Sequence, residues 1–117
     1  MWLWLPVIVY MAGIFVVSGM PDPPMPSNVP DVSMHEAAYF GLTLLLVRAL
    51  ARAHWSGVTV ATLAAAFAIA VAYGASDEWH QSFVTNRHAE MRDLAADAIG
   101  ACAAAIVAGA WGIIRRL

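Results

Sequence analysis

The chain has 117 residues, of which 62% are apolar and only 12% charged, and its mean hydropathy is +0.69. Soluble domains carry roughly 25% charged residues, so this composition cannot build the polar exterior of a water-soluble globule. The formal net charge is -2, and the six basic residues, all Arg, form no run suited to nucleic acid.

The first predicted helix covers about 2–20. No charged residue occurs from Trp2 to Met20, and Pro6 sits near the start, where its missing N–H does least harm. No Lys or Arg precedes Arg48, so the run lacks the basic start of a cleaved signal peptide and reads as a retained helix. The following MPDPPMPSNVPD holds five of the six prolines and reads as an extended linker. Asp31 or Ser33 is placed to cap the next helix.

The second helix, about 34–53, is the weakest by hydropathy. Glu36 lies near one end, Arg48 and Arg52 near the other, and Leu42–Val47 supplies an apolar centre. Those charges can reach the headgroups, which favours a span over a helix lying in the interface. The third helix, about 55–81, rests on the uncharged run Trp55–Ser76. The fourth, about 92–114, rests on Ala98–Ile114 and is closed by Arg115 and Arg116. Cys102, the only cysteine, excludes an internal disulfide and reads as a small buried packing residue in an Ala- and Gly-rich run. The expected fold is all-α: a polytopic membrane protein, a bundle of four transmembrane helices in one domain, 1–117.

If all four runs span, Arg48, Arg52, Arg115 and Arg116 share one side, against Arg87 and Arg92 on the other. The positive-inside rule then places both termini in the cytoplasm and the segments 21–33 and 77–92 outside.

Polar residues converge on that outer side. Asp31, His35 and Tyr39 fall at i, i+4 and i+8 of the second helix, along one face. Asp77 and Gln81 are four apart on the third, with Glu78 and His80 beside them; Asp93 and Asp97 are four apart on the fourth. Ionisable groups this close to hydrocarbon are functional-site candidates by default. Glu36, His88, Glu90 and Arg92 read as ordinary interface residues. Asp93 and Asp97 repel each other one turn apart and require a cation, Arg87 or a shared proton between them. Gly100, Ala104, Ala108 and Gly112 set a small residue at every fourth position of the last helix. That stripe serves either close packing within the bundle or a homo-oligomer.

The run Asp31, His35, Tyr39, followed by Asp77, Glu78, Gln81, Arg87, Asp93, Asp97 and Gly100 at their spacings, resembles the VanZ-like family of small bacterial membrane proteins. Val32, Thr85-Asn86 and Asp97 depart from the family pattern; Asp97 stands where Asn is common. The resemblance implies a helical protein of the bacterial cytoplasmic membrane. It also implies a link to resistance to teicoplanin, the glycopeptide for which the family is named.

Two functional classes follow. In the first, the protein is not an enzyme and needs no cofactor or metal. Its outward site, formed by Asp31, His35, Tyr39, Asp77, Glu78, Gln81, Arg87, Asp93 and Asp97, binds a membrane-lipid headgroup or a lipid-linked envelope precursor. Arg87 meets an anionic group there, and the carboxylates orient it. In the second, the same end is an enzyme acting on a lipid-linked substrate. His35, Asp77 and Asp93 are its catalytic candidates, or His35, Glu78, Asp93 and Asp97 hold a metal. A transporter is the poorest fit, because the acidic groups lie towards one side and the middle is apolar.

Overall fold

A computed structural model describes residues 2–20, 31–84 and 91–116, with the backbone alone at 31, 32 and 116. These residues form four helices and one 3-10 turn, with no strand among them: α1 (Leu5–Ser18), α2 (Asp31–Leu50), the 3-10 turn Trp55–Gly57, α3 (Val60–Gln81) and α4 (Met91–Arg116).

Local chemistry sets most of the boundaries. Pro6 occupies the first turn of α1, where its lack of an N–H is harmless. At the other end of α1 the Gly19 N–H bonds back to the carbonyls of Phe15 and Val16 at 3.0 and 3.2 Å. The helix is therefore shorter than the uncharged run around it. Its 14 residues rise only about 21 Å, against a hydrocarbon core of about 30 Å.

α2 begins at Asp31, so Ser33 lies inside the helix rather than at its cap; the side chain of Asp31 lies outside the described residues. It closes at Leu50 through a left-handed pair, Arg52 at φ 56° and Ala53 at φ 61°. The Arg52 N–H reaches the Ala49 carbonyl at 3.2 Å, and the Ala53 N–H reaches that of Arg48 at 2.9 Å. This is the hydrogen-bond pattern of a Schellman motif. α3 starts at Val60 rather than near 55 because Thr59 caps it. The Thr62 N–H donates to the Thr59 hydroxyl at 3.2 Å, and the Thr59 N–H donates to the Thr62 hydroxyl at 2.8 Å, a reciprocal capping box.

α3 and α4 are long and apolar enough to cross a membrane, by length and composition. Only 22% and 28% of their most apolar stretches are buried inside the chain. Val60, Trp79, Ile106 and Ile113 point away from the core. Helices of a soluble core bury their apolar faces, whereas α3 and α4 leave much of theirs exposed. α2 has the length, but Asp31, Glu36 and Arg48 dilute its hydropathy.

α2 against α4 is the most extensive interface, and α1 packs at the margin. Small residues allow the close approach. A Cβ on Gly100 would collide with the backbone of Glu36, and one on Gly112 would press on Val58 at 3.2 Å. Ala104 is fully buried and Ala108 nearly so, so all four positions of the stripe pack within the chain, Gly100 against α2 and Gly112 against Val58. α3 contributes a second such stripe, Ala66, Ala70 and Gly74. Cys102 corrects an expectation: it is exposed, not buried. It sits to one side of the buried stripe of α4, on a face shared with Ile106. In a run made almost entirely of Ala, residue type does not reveal which face turns inward.

Tyr10 donates to the Ala38 carbonyl at 2.8 Å and Tyr73 to the Met11 carbonyl at 2.6 Å, which ties α1 to α2 and α3. α2 and α4 start at the same end of the bundle, where α3 finishes. That shared end is polar.

Candidate binding site at the polar end

Three helix ends build this site. The N-terminal ends of α2 and α4 are the positive ends of their macrodipoles and favour carboxylates such as Asp93 in the first turn of α4. Glu78 is in the last turn of α3, where the dipole disfavours an anion. Its burial there has to be offset by a neighbour or a ligand.

His35 is the hub. Its Nδ1 lies 2.7 Å from Asp97 Oδ1 and its Nε2 lies 3.8 Å from Asp93 Oδ2. When Asp97 is ionised its carboxylate can only accept, and the bond is then donated by Nδ1–H. The imidazole thus sits between the two aspartates whose repulsion called for a partner. Asp97 is fully buried, and Asp77, Glu78, Gln81 and Asp93 are each at least nine-tenths buried. Gly74 makes room for the cluster, since a Cβ there would come within 2.8 Å of Asp97 Oδ2.

His35, Glu78 and Asp97 each offer one ligand atom, all within 4.8 Å of one another. A nitrogen and two carboxylate oxygens at that separation form a donor set that suits a divalent cation such as zinc or manganese. The Tyr39 ring is buried 6.4 Å from that of Tyr73, and its hydroxyl lies within electrostatic reach of Asp77, Asp97 and Glu78. Neither the Tyr39 hydroxyl nor Asp97 Oδ2 has a hydrogen-bond partner among the described residues.

The structure therefore brings together His35, Tyr39, Asp77, Glu78, Asp93 and Asp97 and buries Gln81 on the same end of α3. Arg87 and the side chain of Asp31 lie outside the described residues. Glu36 is half-buried and Arg92 exposed. His80 stacks on Phe15 of α1, 4.3 Å between centroids.

One member of the site was not anticipated. Ser18, buried at the end of α1, donates to Asp77 Oδ2 at 2.7 Å. The available signal was position: it is the only Ser or Thr in the first apolar run, at the end expected to meet the other polar residues.

These features define a small all-helical protein with an apolar body and a buried, acid-lined end. The chain matches the VanZ/LLP1 family over residues 7–112, nearly its whole length, and belongs to that family. Family membership and the two long apolar helices together fit a membrane protein. Neither the curated proteins nor the solved structures gave a match to the chain.

Proposed function

We propose that this VanZ-like protein lies in the bacterial cytoplasmic membrane as a four-span bundle with both termini in the cytoplasm, and that its outward polar end binds the headgroup of a lipid or a cell-wall-related ligand. One observation carries the reading. Among the described residues, the buried Tyr39 hydroxyl and Asp97 Oδ2 have no hydrogen-bond partner beside the His35–Asp97 pair. A buried polar atom left without a partner costs about 1–3 kcal/mol, so a site that keeps two such atoms is suited to a ligand that satisfies them. Arg87, next to this end in sequence, would meet the ligand's anionic group. A role in teicoplanin resistance follows from the family resemblance and rests on the same site.

The test is to purify the protein in nanodiscs and identify co-purifying lipids by mass spectrometry, for wild type, His35→Ala and Asp93→Ala. The expected result is one lipid class enriched with wild type and lost from both variants. An identical lipid profile in all three would remove the reading.

The His35–Asp97 pair and the donor set it forms with Glu78 favour a second reading, an enzyme acting on a lipid-linked substrate. His35 would be the acid or base oriented by Asp97, or a ligand of a metal shared with Glu78. Metal analysis of purified protein combined with product detection separates the two, because this reading requires turnover of a lipid-linked substrate.

A further inference from the structure

We propose that the opposite end of the bundle is a second ligand site, which holds one anionic phospholipid with its phosphate between Arg48 and His54. A cavity of about 380 Å³ opens there between the end of α2, the 3-10 turn and α4. Leu44 and Val47 contribute to its apolar wall, Arg48 and His54 to its polar lining, and Trp55 and Trp111 also face it.

Charge selects the headgroup. Arg48 is half-buried and lies over the Trp2 ring at 5.0 Å. Among the described residues no carboxylate lies within ion-pairing distance of it. A partly buried cation without a counter-ion is unfavourable, and a phosphate removes that penalty while accepting the guanidinium's paired N–H groups. The described acidic side chains are gathered around the starts of α2 and α4 and the end of α3. Arg52 and Arg115 are exposed at the cavity's own end, and they add a field that attracts anionic headgroups.

The walls select a lipid over a water-borne anion. The cavity is open and continues onto the outward apolar face of α4 at Trp111, which is 49% exposed. An acyl chain can lie along that face. Trp55 and Trp111 meet edge to face at 6.4 Å, the kind of aromatic pair found at headgroup depth. The left-handed pair Arg52 and Ala53 turns the chain back so that His54 and Trp55 line the cavity. A strained, non-glycine turn of this kind is a recurring feature of ligand clamps.

Native mass spectrometry of the delipidated full chain, titrated separately with phosphatidylglycerol and phosphatidylcholine, tests the proposal. One phosphatidylglycerol should bind about five- to ten-fold more tightly than phosphatidylcholine, as expected for one arginine plus one hydrogen bond at a phosphate. Arg48→Gln should lower phosphatidylglycerol affinity about five-fold and His54→Ala about two-fold, with phosphatidylcholine unchanged. Arg52→Gln, outside the cavity, should change it less than about two-fold. Equal affinity for the two lipids in wild type would overturn the proposal. So would a loss in Arg52→Gln as large as in Arg48→Gln, which would indicate diffuse surface charge, or displacement of the lipid by inorganic phosphate. No residue of the polar end enters the measurement, so its outcome is independent of the reading proposed for that end.

Discussion

The two ends of the bundle carry opposite charge and hold it in opposite ways. At the polar end Asp77, Glu78, Asp93 and Asp97 are buried, and fixed neighbours such as His35 and Ser18 hold them. At the basic end Arg52 and Arg115 are exposed and Arg48 half-buried, on an apolar wall. Buried charge loses its hydration and depends on partners in fixed positions, several kcal/mol per ion being at stake. Exposed arginine keeps its water, and losing its charge alone changes stability by no more than about 0.5 kcal/mol. One end is therefore sensitive to single atoms and the other is tolerant, although the two carry similar numbers of charges.

The largest expected effect tests that contrast directly. His35→Ala leaves Asp97 buried without its donor and returns Asp93 and Asp97 to mutual repulsion, a loss of about 3 kcal/mol. Arg115→Ala at the other end should cost less than about 0.5 kcal/mol. Chemical unfolding in bicelles measures both. A double-mutant cycle of His35→Ala with Asp97→Ala should return a coupling of about 1–2 kcal/mol. If the His35 and Arg115 variants unfold together, the distinction between the ends is wrong.

A smaller effect sharpens the comparison with the same residue type at both ends. Ser18→Ala removes the donor to a buried carboxylate and should cost about 1–2 kcal/mol. Ser56→Ala, at an exposed position of the 3-10 turn, should cost almost nothing. The stability difference between the two single variants is the readout. Equal values would mean that Ser18 does not support Asp77.

How much of this was legible in the sequence depended on whether one helix alone decided the matter. Asp31, His35 and Tyr39 at i, i+4 and i+8 share a face whatever the neighbours do, and so do Asp93 and Asp97. The pairing of His35 with Asp97 was open, because it depends on how α2 and α4 are rotated about their axes. Gly100 against the Glu36 backbone sets that rotation, and only the packed structure reveals it. Cys102 shows the opposite failure: Ala carries no polarity signal, so the inward face of α4 could not be read from its middle. The ends of α1 and α3 were governed by local caps at Gly19 and Thr59. A search for uncharged runs passes over both, and they separate a 14-residue α1 from an apolar run long enough to span.

The smallest effect has the opposite sign and belongs to the basic end. Arg52 sits at φ 56°, the position of a Schellman motif that Gly usually fills, and a side chain there costs about 1–2 kcal/mol. Arg52→Gly relieves the crowding but gives the unfolded chain more freedom, so the net gain should be about 0.5–1 kcal/mol. Arg52→Ala removes the same charge and keeps a Cβ, so the difference between the Gly and Ala variants isolates the backbone. Thermal unfolding in zwitterionic detergent measures it without a contribution from anionic lipid. A gain for Gly with none for Ala would mean that the basic end retains a strained turn the chain could relieve by one substitution, whereas substitutions at the polar end only lose stability. Equal stability of the two variants would mean that the turn stores no strain, and the clamp at His54 and Trp55 would then need another origin.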